Sequence, residues 1–180
     1  MDFPEQPVFF YDLGSPQCYL VAETIMAGLP VVPEWEPVLA PSPAEFDREQ
    51  IAERAAELGL QPVRWPPTWP LDTERAMLAA TYAKQIGRAV AFSLAAFRQT
   101  FAGGRDLGDE DTVLIAGAAC EMHPTALRKG IELRSTRHAL ESATRRAHAA
   151  GVTTLPAIQI GERVYATIDE ATAAIEGALR

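Results

Sequence analysis

The sequence predicts an α/β chain: a four-stranded sheet with helices on its faces and a large all-helical insertion. Three observations carry this. Short runs of β-branched and aromatic residues gather in the first 40 and the last 30 positions. The stretch between them reads as helix almost throughout. Each end supplies two strands, too few to bury a stable sheet alone, whereas four together can carry helices on both faces. The expected division is residues 1–40 with 151–180 as the sheet domain and 41–150 as the helical insertion. A length of 180 residues with 48% hydrophobic content suits one such core.

The first strand is Val8-Phe9-Phe10-Tyr11-Asp12-Leu13, closed by Gly14. Ser15 suits an N-cap and Pro16 the first helical position, so a helix should run from Pro16 to about Ala27 and stop at Gly28. Val31-Val32 and Trp35 to Leu39 read as a second strand, with Pro33 and Pro37 marking it as an edge or an irregular strand. In the central block, Pro43 to Leu58 follows Ser42 as a cap and ends at Gly59. A proline-rich loop spans Pro62 to Pro70, and Asp72 or Thr73 opens a helix to about Ile86. Arg88 to Ala102 ends at Gly103-Gly104, and Asp109 caps a shorter helix to about Glu121. His123-Pro124 restarts the chain, and residues 134–149 form a basic helix that Gly151 ends. Ala157 to Ile160 and Arg163 to Ala166, joined by Gly161-Glu162, make a hairpin, and a helix from Ile168 to Leu179 closes the sequence.

Composition removes several function classes. The net charge of -8 argues against nucleic acid, whose phosphates need Lys and Arg. No apolar run reaches the ~18 residues of a membrane span, and the acidic start lacks a signal-type core, so a cytoplasmic location is expected. Two cysteines, Cys18 and Cys120, are too few for a disulfide framework, and no Cys/His cluster has metal-ligand spacing; no metal is expected.

Three motifs sharpen the reading. Phe10-Tyr11-Asp12-Leu13-Gly14-Ser15-Pro16-Gln17-Cys18 puts a strand before a Ser-Pro helix start. Arg64-Trp65-Pro66-Pro67-Thr68-Trp69-Pro70 is a rigid aromatic loop. Gly151-Val152-Thr153-Thr154-Leu155-Pro156-Ala157 leads into the third strand. In this order they resemble the thioredoxin superfamily with a DsbA-type insertion, and within it the 2-hydroxychromene-2-carboxylate isomerases and kappa-class glutathione transferases. The sequence departs from that group at Gln17, usually aromatic, and at Thr68, often Asn, and it is short for the group. These departures leave open which thiol is used.

A helix N-terminus carries roughly half a unit of positive charge and stabilises a sulfur anion. In DsbA-like oxidoreductases the first position of C-x-x-C holds a cysteine there; here it is Ser15, with Cys18 at the fourth. Serine cannot form a disulfide, which excludes two-cysteine exchange at this site. The resemblance implies instead that Ser15 donates a hydrogen bond to the thiolate of a bound cofactor, glutathione or another low-molecular-weight thiol. An ordinary helix start accounts for Ser15-Pro16 as well. Cys18 is a second thiol contact, a monothiol nucleophile or a core residue; Cys120 reads as structural. The resemblance further implies a cis bond at Pro156, a cofactor contact from the Leu155 backbone, and an ammonium contact from Asp169 and, more weakly, Thr167. Trp65 and Trp69, with Tyr11, are expected to line an aromatic substrate pocket, and Arg64 to hold a carboxylate; a surface loop packed on the helical block is the alternative. Arg134, Arg137, Arg145 and Arg146 read as a solvated face.

The function this implies is a thiol-dependent isomerase or transferase acting on a small unsaturated aromatic-derived substrate, with no nucleic-acid or membrane partner; the resemblance makes a homodimer plausible. The alternatives are a monothiol oxidoreductase using Cys18 and a non-catalytic thioredoxin-like binding module.

Overall fold

The computed structural model describes residues 6–40 and 45–178. Strand β1 (Val8–Tyr11) leads into helix α1 (Pro16–Gly28), and β2 (Glu34–Pro37) follows. Six helices come next: α2 (Arg48–Glu57), α3 (Glu74–Gln85), α4 (Ala89–Phe101), α5 (Glu110–Ala119), α6 (Pro124–Glu132) and α7 (Arg134–Ala149). Strands β3 (Ala157–Ile160) and β4 (Arg163–Tyr165) then precede α8 (Ile168–Ala178). One mixed sheet forms in the order β2-β1-β3-β4. β1 runs parallel to β2 and antiparallel to β3, and β3 pairs with β4 as a hairpin.

The expected α/β architecture is present, and three local expectations need correction. The first central helix starts at Arg48 rather than near Pro43, because Asp47 caps it by accepting the N–H groups of Glu49 and Gln50; the expected cap, Ser42, lies outside the described residues. Gly28 is the last residue of α1 rather than its terminator. A Cβ there would lie 2.7 Å from Ile168 Cγ2, so its small size lets α8 approach α1. The second strand is confined to Glu34–Pro37, and Pro37 is tolerated because β2 is an edge.

Period-two alternation puts Phe9 and Tyr11 on one face of β1. Both are fully buried. Phe9 stacks on Tyr11 with ring centroids 5.2 Å apart, Trp35 of β2 packs edge-on against both, and Tyr11 reaches Phe97 of α4 at 6.0 Å. The sheet and the helical block thus share one apolar core. Charge ties them at the sheet edge: Lys84 of α3 binds Glu34 and Glu36 of β2, and Arg146 of α7 lies 3.6 Å from Glu36. Part of the basic face of α7 is therefore paired and not simply solvated.

Tyr11 is a core residue, which corrects its expected place in the substrate pocket. Its hydroxyl lies 2.6 Å from Ser93 Oγ of α4, both residues fully buried. Burial pushes the Tyr11 hydroxyl well above its ordinary range, and the Ser93 bond offsets this only in part. Tyr11→Phe should cost about 1–3 kcal/mol by orphaning the Ser93 hydroxyl, and adding Ser93→Ala should recover part of that loss. Urea unfolding of the single and double variants checks this.

Candidate functional site

A cavity of about 380 Å³ opens where β1 ends and α1 begins, a size suited to a small organic ligand. One wall is the β1–α1 turn, from Asp12 through Ser15 to Gln17. Thr153, Thr154 and Leu155 face it from the approach to β3. The loop before α3, with Trp69 and Asp72, and Phe46 with Leu39 complete the lining.

The sequence builds the first wall locally. Asp12 Oδ1 accepts the Gly14 N–H at 2.6 Å, an Asx turn that ends the strand. Ser15 takes extended backbone angles as N-cap of α1, and its Oγ accepts the Cys18 N–H at 3.1 Å. Its hydroxyl proton has one partner here, Gln17 Oε1 at 3.2 Å. A half-exposed side chain can exchange so long a bond for a better acceptor in the cavity. The Leu155–Pro156 bond is cis, as is Trp69–Pro70, and Leu155 and Pro70 both line the cavity.

Asp12 is a site residue that the sequence reasoning misses. It is only 8% exposed, and burial pushes its carboxyl above the ordinary carboxylate range, against the pull of the Gly14 and Ala40 backbone. The Asp-Leu-Gly-Ser run is the signal that could have found it, since Asp two residues before Gly is an Asx-turn pattern.

Cys18 is fully buried and is not part of the lining. Burial pushes its thiol up from 9.0 to about 12, with the Ser15 bond only partly offsetting this. A nucleophilic cysteine needs the opposite shift. Cys120 is buried too, its Sγ on the Gly117 carbonyl oxygen at 3.3 Å, and burial pushes its thiol up as well.

The fold has counterparts among known proteins. The model of the DSBA-like thioredoxin domain matches residues 8–176. The chain belongs to that family. A solved 2-hydroxychromene-2-carboxylate isomerase superposes with a TM-score of 0.80 at 14% identity, over 96% of this chain and 93% of that one. A probable DsbA oxidoreductase from Streptomyces coelicolor gives 0.79 at 18% identity, over 97% and 89%. The cytosolic disulfide reductase DsbM from Pseudomonas aeruginosa, solved with GSH, gives 0.69 at 15%, over 97% and 99%. At these identities the likeness carries the fold alone. No curated protein sequence matches the chain.

Within this DsbA-like domain the remaining expected residues divide. Trp69 lines the cavity, stacked edge-on against Phe46 at 5.2 Å. Trp65 backs it from behind, between Phe46, Trp69 and Phe101. Arg64 does not line the cavity: it is exposed, and its N–H donates to the Phe101 carbonyl oxygen at 2.8 Å. The expected carboxylate contact from Arg64 is thus not made at this wall. The cation nearest the aromatic wall is Arg48, over the Trp65 and Trp69 rings at 4.9 and 5.8 Å. Thr167 and Asp169 also lie off the cavity lining. Thr167 Oγ1 accepts the Glu170 N–H, and Glu170 reaches back to the Thr167 N–H, a capping box at the start of α8.

Cys18 gives two linked expectations. Because its folded value of about 12 lies above its ordinary 9.0, the fold holds the protonated thiol. That stabilisation is intact below about pH 9 and is lost as pH rises towards 12. Iodoacetamide at about pH 8 should leave Cys18 unmodified in folded protein and alkylate it in urea, as read by peptide mass spectrometry. Equal rates in the two states would contradict the burial.

Proposed function

We propose that this DsbA-like domain is a thiol-cofactor-dependent isomerase or transferase acting on a small unsaturated, aromatic-derived substrate. One observation carries the proposal. Ser15, at the tip of α1, and Leu155, before a cis proline, face one cavity, while both of the chain's own thiols are buried. A thiol working in this cavity has to be brought in as a ligand, glutathione or a related small thiol.

The chemistry follows from the residues. The Ser15 hydroxyl turns from Gln17 to donate to the incoming thiolate, and the N-terminus of α1 adds its partial positive charge. The thiolate adds to an activated double bond of the substrate: the C–S bond forms as the π bond opens, and its electrons pass to a conjugated carbonyl oxygen. Rotation about the resulting single bond and loss of the thiolate return the isomerised product. Trp69, Phe46 and Leu39 supply apolar wall for an aromatic-derived body. The monothiol alternative is disfavoured by the burial and raised pKa of Cys18.

The test is a thermal-shift titration with reduced glutathione and other small thiols. At a hundredfold excess over Kd, binding adds about 2.7 kcal/mol, roughly 5–10 °C for a chain of this size. Ser15→Ala lowers the unliganded Tm by removing an N-cap, a cost of about 1 kcal/mol. Each variant is therefore compared with its own unliganded Tm. The ligand-induced shift should shrink as Kd rises about tenfold or more, the scale of a hydrogen bond to a charged group. A wild type that no small thiol stabilises at millimolar concentration removes the thiol-dependent reading and leaves a binding module.

A further inference from the structure

The titratable side chains of the cavity wall are of one sign. Asp12, Asp72 and Glu74 line it, and among the described residues no lysine, arginine or histidine does. Glu74 is offset by Arg137 at 2.8 Å. Asp72 receives the Glu74 N–H at 3.2 Å, a dipole and not a counter-ion. Asp12 is buried against the Gly14 N–H.

The aromatic part of the wall points the same way. The ring faces of Phe46 and Trp69 attract cations and offer a carboxylate nothing. Arg48 already lies over the Trp65 and Trp69 rings and is not part of the lining. The positive end of α1 attracts an anion, and a bound thiolate uses it; the other donors of the lining, the Gln17 amide and the hydroxyls of Thr73, Thr153 and Thr154, are uncharged.

Reduced glutathione carries two carboxylates and one ammonium at neutral pH, a net charge of about -1 before its thiol ionises. Unless both carboxylates project into solvent, at least one meets a lining whose neighbouring cations are already engaged, Arg48 on the tryptophan rings and Arg137 on Glu74. We infer that the cavity selects a small thiol of neutral or positive net charge, its amine turned to Asp72, over one that carries exposed carboxylates. The inference rests on the thiol-binding reading and specifies which class of thiol that reading requires.

Titration calorimetry with reduced glutathione, its monoethyl ester and its diethyl ester tests this on the full chain. The series keeps the thiol fixed and removes one carboxylate at a time. Kd should fall roughly two- to fivefold per ester, the range of a solvent-screened charge pair. The trend should flatten in the Asp72→Asn variant. The amide oxygen left by Asp72→Asn still accepts the backbone N–H two residues on, so the turn before α3 is kept while the charge is removed. Glutathione binding as tightly as its diester, or an unchanged trend in the Asp72→Asn variant, overturns the charge inference and leaves the thiol-binding reading intact. No binding by any of the three at millimolar concentration removes both.

Discussion

The antiparallel pairing of β1 with β3 is the constraint on which the site depends. It matches Val8, Phe9 and Phe10 to Gln159, Ile158 and Ala157, residues from opposite ends of the chain. Continuing that register sets Leu155 across from Asp12, three residues before Ser15. A slip of one residue would turn one strand over against the other and take either Phe9 or Ile158, both fully buried, off its own face of the sheet. Hydrophobic burial therefore fixes the polar geometry: the cavity between Ser15 and Leu155 follows from where Phe9 has to go.

The helical block depends on the same strand. Tyr11 is the joint, stacked on Phe9 and hydrogen-bonded to Ser93 of α4. The block in turn supplies the second half of the cavity, because the loop before α3 carries Trp69 and Asp72 to its wall. Lys84 and Arg146 close the outer edge by neutralising Glu36, which is 12% exposed and would be costly to leave unpaired. Neither the sheet nor the helical block contains the whole site.

Much of this is legible in the sequence because it is encoded locally. The Ser-Pro helix start, the strand and helix order, the Gly161-Glu162 hairpin and the edge position of β2 all follow from short-range chemistry, and each is present. The errors arise where long-range packing decides. Tyr11 sits beside the site in sequence, but strand alternation turns its ring into the core. Arg64 shares a loop with Trp69, yet the backbone bond to Phe101 holds it elsewhere. Gly28 reads as a terminator because nothing in the sequence shows that α8 packs there. Asp12 escapes notice because a carboxylate at the end of an apolar strand reads as a turn residue, which it also is.

The chemistry rests on one claim about position fifteen, that the tip of α1 stabilises a sulfur anion facing Leu155. The direct test needs no ligand: the pKa of the thiol introduced by Ser15→Cys, followed by thiolate absorbance in the ultraviolet in a Cys18→Ala background. A helix tip that serves a thiolate predicts a pKa below about 7.5, against about 8.5 for a free cysteine. A value at or above about 8.5 would mean that Asp12 and burial outweigh the helix, and that no thiolate is held there.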